Sequence, residues 1–96
     1  MEAEFEVVFA RRAVKQVEVA RRWWRAERPE APDRVDDELA ALVARLARQP
    51  RLGTALTGTG VRRVTLATTR YAVYYRVRPR ARRCEIIDVV HASRIA

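Results

Sequence analysis

The chain has 96 residues, which fits one domain spanning 1–96, since domains usually run about 100–200 residues. Apolar residues at 49% and charged residues at 33% are the balance of a folded chain. No run approaches the ~18 apolar residues of a membrane helix, and the opening MEAEFE does not read as a signal peptide. The net charge of +8 is unevenly placed. Residues 1–50 balance ten cations with ten acids, whereas residues 51–96 set ten arginines against only Glu85 and Asp88. That asymmetry points to an acidic partner for the second half: nucleic acid, an acidic protein or the acidic segment of an inhibitor.

Residues 4–9, EFEVVF, alternate Phe5, Val7 and Phe9 with glutamates, the pattern of a half-buried strand. From Arg11 to about Glu27 there is no Gly or Pro, and Ala13, Val17, Ala20 and Trp24 fall on one helical face. Val19 and Trp23 share a flanking face. Pro29 ends this helix. A second helix is expected over about 30–48, with acids in its early turns, Arg45 and Arg48 near its end, and Val35, Leu39, Leu42 and Leu46 as its buried stripe. Two helices so close in sequence should form an antiparallel hairpin.

Pro50, Gly53, Gly58 and Gly60 mark a loop of about ten residues. GTALTGTG is not a phosphate-binding loop, because no lysine follows it and a strand comes next; it reads as a flexible connection. Three strands fit the remainder: 61–67, 70–78 and 84–90, with a turn at Thr68-Thr69 and a basic turn PRARR at 79–83. In the middle strand Tyr71, Val73, Tyr75 and Val77 point one way, and Ala72, Tyr74, Arg76 and Arg78 the other. The apolar run EIIDVV suits a strand covered on both faces, and the adjacent Ile86 and Ile87 leave its facing open. The fold class is therefore α+β in the order β-α-α-β-β-β, an N-terminal strand and a two-helix hairpin followed by a three-stranded antiparallel sheet, with both helices on one sheet face. The other face would carry Tyr74, Arg76 and Arg78, with Arg76 paired to Asp88 or Glu85 in the plain structural reading. Cys84, the lone cysteine, permits no internal disulfide and reads as a buried, inert thiol in a reducing, cytoplasmic setting. No Cys/His grouping has zinc-site spacing, and no cofactor is expected.

WWRAERPEAPDR at 23–34, LVARLARQPRLG ending at Gly53, GVRRV at 60–64, RYAVYYRV at 70–77 and VVHASR at 89–94 follow one another in an order and spacing that resemble the ParE/RelE superfamily of bacterial type II toxins. The match runs from about Phe5 to Arg94, and the RYAVYYRV strand is closer to the ParE branch. The resemblance implies a plasmid-stabilization-type toxin neutralised by a cognate antitoxin, with operator DNA reached through that antitoxin. ParE-like members inhibit DNA gyrase by binding, and RelE-like members cleave messenger RNA on the ribosome; a third reading is a toxin-like fold that has lost its activity and persists as an antitoxin-bound partner.

On the gyrase reading, Arg62, Arg63, Arg76, His91 and Arg94, together with the segment 89–96, are the expected target contacts. Val19, Trp23, Tyr74, Arg76 and Arg78 are the expected antitoxin contacts. On the ribonuclease reading, Arg62, Arg76, His91 and Arg94 would be catalytic. That chemistry needs an activated 2′-hydroxyl, a protonated leaving oxygen and a stabilised phosphate charge. His91 is the side chain with an ordinary pKa near neutrality. Against it, Ala92 stands where several ribonuclease relatives place a tyrosine, and residues 51–96 contain no lysine.

Overall fold

In the computed structural model, which describes residues 4–94, the elements run β1 (Glu6–Phe9), α1 (Arg11–Glu27), α2 (Arg34–Arg48), β2 (Thr54–Leu56), β3 (Val61–Thr65), β4 (Tyr71–Arg78) and β5 (Arg83–His91), followed by a 3-10 turn at Ala92–Arg94. The strands form one sheet in the order β1-β5-β4-β3-β2, and every neighbouring pair except one is antiparallel. The exception is β1, which lies parallel to β5 with Glu6 opposite Arg83 and Phe9 opposite Ile86. The α+β class and the two-helix layer are as the sequence pattern requires. Three details differ.

First, α2 begins at Arg34 and not at residue 30. The intervening residues are held as a connection by tertiary contacts: the Trp24 indole donates to the Ala31 carbonyl at 2.8 Å, and Arg25 reaches Asp33 at 3.1 Å. Second, the segment read as a flexible loop contains β2, which pairs Thr54 with Arg63 and Leu56 with Val61. Three residues of modest strand propensity gain their conformation from the partner strand, so the local pattern is too short to register. Third, β1 is not separate from the C-terminal strands but completes their sheet.

Helix pairing is antiparallel, because Arg21 meets Asp36 while Arg25 meets Asp33. Ala13, Val17 and Ala20 of α1 and Val35, Leu39, Leu42 and Leu46 of α2 are buried against Val73, Tyr75, Cys84, Ile86 and Val89 of the sheet. A fully buried Leu46, Ile86 or Val73 contributes about 1.5–3 kcal/mol by removal from water. Tyr71, Val73, Tyr75 and Val77 all pack on this side, so the alternation of β4 is intact. The run EIIDVV is resolved by a bulge. Tyr75 stands opposite Ile86 and Tyr74 opposite Asp88, so Ile87 is the extra residue. Ile86 is therefore buried in the core, and Ile87 is only half-buried. Cys84 is fully buried, and burial pushes its thiol pKa up, outweighing the nearby Arg51. It is a thiol with little thiolate character.

Two polar contacts fix the sheet to its surroundings. Buried Tyr75 accepts the Gly53 amide at 2.8 Å, and a side chain at Gly53 would place its Cβ 2.8 Å from the Arg63 carbonyl oxygen. Glu38 of α2 accepts the amides of Thr68 and Thr69 at 2.8 and 2.9 Å, clamping the helix to the β3–β4 turn. Burial opposes the Glu38 charge, but these amides, with Arg34 nearby, outweigh it and hold the carboxyl below its ordinary value of 4.5. The clamp is thus fully present above the ordinary value and is lost as pH falls through the lower folded value. Replacing Glu38 by Gln puts an amide NH2 against one of two donors. Glu38→Gln is expected to cost about 1–2 kcal/mol in urea unfolding at neutral pH, with the difference shrinking below about pH 4.

Candidate functional site

Helix α1 spans the sheet with three faces in use. Ala13, Val17 and Ala20 enter the core, Gln16 lies beside them, and Val19 and Trp23 remain on the flank at 55% and 47% exposure. The tandem tryptophans divide their roles. Trp24 packs against the core and anchors the interhelix connection. Trp23 lies against the Trp24 ring, with centroids 5.8 Å apart, and carries the Arg28 guanidinium 5.9 Å from its own ring centre. It is an exposed aromatic on a supported platform.

Between this flank and the end of β5 runs a groove of about 460 Å³, lined among others by Lys15, Val19, Trp23, Tyr71, His91 and Arg94. His91 stands opposite Tyr71, the two rings meeting edge to face at 5.1 Å. Its Nδ1 accepts the Ser93 amide at 3.2 Å and lies 2.7 Å from Ser93 Oγ, which assigns the ring proton to Nε2. Burial raises the Tyr71 phenol pKa, partly opposed by Arg94. Tyr71 is therefore a neutral phenol in the groove wall.

The groove exists because of what happens at the edge of β5. Strand β1 ends opposite Ile86, and the Ala10 amide gives the last bond to the Ile86 carbonyl. Beyond the bulge, Gln16 takes over. Its Oε1 accepts the Val89 amide at 2.7 Å, and its Nε2 donates to Asp88 at 3.1 Å. Arg12 pairs with the same carboxylate at 2.9 Å. Gln16 is absent from the sequence-derived site, although its signal was visible as a polar residue set among Ala13, Val17 and Ala20.

The opposite sheet face is built from the alternate residues. Arg63 stands beside Tyr74, and Arg76 stands opposite Glu85. Glu85 is taken by Arg78 at 3.8 Å and Asp88 by Arg12, so the expected pairing of Arg76 with either acid does not form. Arg76 is exposed and makes no ion pair among the described residues. Arg62 belongs to neither surface. Opposite Tyr75, it donates to the carbonyls of Gly53 at 2.7 Å and Arg51 at 3.2 Å and ties the β2 edge to the chain before it.

The structure therefore regroups the sequence-derived residues. Val19, Trp23, His91 and Arg94 share the groove, while Arg63, Tyr74, Arg76 and Arg78 share the open face. The last two residues of the segment 89–96 lie outside the described residues. Among the described residues no group of three or more His, Cys, Asp or Glu side chains is placed to hold a metal, and no helix is long and apolar enough to cross a membrane.

The helical hairpin lies on one face of a mixed five-stranded sheet, and this arrangement recurs in solved structures. The structure is similar to the chromosomal ParDE system of P. aeruginosa, with TM-score 0.75 and 16% identity over 92% of this chain and 96% of that one. It is similar also to E. coli RelBE, with TM-score 0.62 and 21% identity over 94% and 99%. RelBE2 of Mycobacterium tuberculosis gives TM-score 0.64 and 18% identity over 97% of each chain. Comparison with curated proteins finds no match. The family model for the ParE toxin of the type II toxin–antitoxin system parDE matches residues 7–96, and the chain belongs to that family.

Replacing Gln16 by Leu leaves the Val89 amide without its acceptor at nearly constant volume. Gln16→Leu is expected to destabilise the protein by about 1–3 kcal/mol in urea unfolding. Hydrogen exchange should show the Val89 amide losing protection before those of β4.

Proposed function

We propose that this chain is a cytoplasmic toxin that inhibits DNA gyrase by binding and is neutralised by a cognate antitoxin seated in the α1–β5 groove. The observation that carries the binding reading is the separation of the two surfaces. Metal-free cleavage of RNA needs an acid–base group and phosphate-stabilising cations around one phosphate. Here His91 lies on the α1 side of the sheet, engaged by Ser93 and sharing its groove with Lys15 and Arg94, whereas Arg76 projects from the other side and Arg62 is bound to backbone carbonyls, so the four residues of the ribonuclease reading do not surround one phosphate. This arrangement supports recognition over hydrolysis.

For the antitoxin, the groove offers an apolar floor, basic ends at Lys15 and Arg94, and an exposed tryptophan of the kind that dominates interface energies. Val19 and Trp23 are the anchors in this reading. A segment that also met Tyr74, Arg76 or Arg78 would have to pass around a sheet edge. The E. coli structure with this fold is a toxin–antitoxin complex, which supports the same kind of partner here. Gyrase would meet the arginine face and the C-terminal segment, and operator DNA would be reached through the antitoxin.

Induction of the chain without its antitoxin, followed by labelled DNA, RNA and protein precursors, tests the target. DNA synthesis should fall first while translation continues. Early arrest of translation with cut messengers would replace this reading by the ribonuclease one, and unchanged growth with soluble expression would leave an inert partner. For the antitoxin, Trp23→Ala is expected to weaken binding by about 2 kcal/mol, roughly thirtyfold, in titration calorimetry. The melting temperature of the lone toxin should stay nearly constant, because the ring is half exposed.

A further inference from the structure

We infer that the open face of the sheet, through Arg63, Arg76 and Arg78, binds the phosphodiester backbone of duplex DNA directly, on a surface separate from the α1–β5 groove. The inference goes beyond the gyrase reading and does not require it. It starts from charge. Residues 51–96 carry the whole +8, ten arginines set against Glu85 and Asp88. Asp88 is turned to α1, where Arg12 and Gln16 hold it. Glu85 and Glu6 remain on the face: Glu6 is held by Arg83 at 3.2 Å, and the contact of Glu85 with Arg78 is a partly exposed one at 3.8 Å, of the sort worth well under ~1 kcal/mol and readily exchanged for a phosphate.

Geometry gives the cations an order. Arg76 and Arg78 are two residues apart on one face of β4, about 7 Å along the strand. Arg63 stands on the neighbouring strand beside Tyr74, two positions further back. Arg80, exposed in the turn after β4, continues the line beyond Arg78. The guanidinium is a planar fork matched to phosphate oxygens, and these side chains project from a sheet and not from a loop.

The aromatic inventory selects the duplex. Proteins that hold single strands stack successive bases on several exposed rings. On this face the ring is Tyr74, half-buried between its neighbours. Phe5, Phe9, Trp24, Tyr71 and Tyr75 pack with the core, and Trp23 lies across the sheet in the groove. The face therefore offers backbone contacts without a stacking platform, the sequence-independent mode of binding duplex DNA.

The test is fluorescence anisotropy of the full chain with a labelled DNA duplex of arbitrary sequence between 50 and 200 mM salt. Three phosphate contacts predict a log–log salt slope of about −3, and Arg63→Gln with Arg76→Gln should make it shallower by about two. Arg63→Lys with Arg76→Lys should retain the slope, which separates loss of charge from loss of fold. Arg45→Gln with Arg48→Gln, an equal charge loss at the end of α2, should also retain it. No binding at 50 mM salt overturns the inference, as does an unchanged slope in the Arg63→Gln, Arg76→Gln variant. Tighter binding to single-stranded RNA that collapses in Tyr74→Ala also overturns it, by assigning the face to RNA. Gyrase inhibition without DNA binding would sink this inference alone, and DNA binding without any effect on gyrase would sink the proposed function alone.

Discussion

The backbone edge of β5 is the constraint on which the rest of the molecule depends. That strand has β4 on one side along its length but β1 on the other only as far as Ile86. A buried amide beyond that point must find an acceptor or lose about 1–3 kcal/mol. One side chain from a helix, Gln16, meets the requirement at Val89. In doing so it fixes how α1 crosses the sheet, and with it which flank of α1 borders the groove. The bulge at Ile87, the ion pair of Arg12 with Asp88 and the exposure of Trp23 are parts of the same solution.

A second consequence is a division of chemistry by sheet face. Core, groove and helical layer are on one side, and the other side carries Arg63, Arg76 and Arg78 among Tyr74, Glu85 and Glu6. The pairing register alone decides membership. Arg62 and Arg63 are adjacent, yet one braces the chain before β2 and the other faces outward. A list of basic residues therefore overstates any single surface, and the register sorts them.

Much of the fold was legible because its signals are local. The limits of α1 follow from an unbroken helical pattern closed by Pro29, and the stripe Val35, Leu39, Leu42 and Leu46 is buried as its spacing requires. What escaped was set at a distance. Residues 30–33 have helix-compatible composition but are held as a connection by Trp24 and Arg25. The strand β2 is three residues long and exists through its partner. Neither Arg70 nor Arg82 announces the left-handed backbone it adopts, at φ 67° and 51°, where a glycine would have given it away. Of the candidate residues, Val19 and Trp23 were legible from a helical wheel. The grouping of His91 with them, and its separation from Arg76, required the sheet order.

The parallel pairing of β1 with β5 also imposes an order of events. Glu6 and Arg83 touch across 77 residues of sequence, the first strand of the chain against the last. Every other strand pair is a hairpin that can close as its residues become available. During synthesis β1 is made before all the other strands and waits, with its partner not yet made, until β5 has been translated. The edge that Gln16 satisfies is incomplete for the same interval, since it belongs to β5. Sheet and groove are therefore completed together, so a chain that lacks β5 lacks the assembled groove. Topology itself delays the completed sheet until β5 has been made.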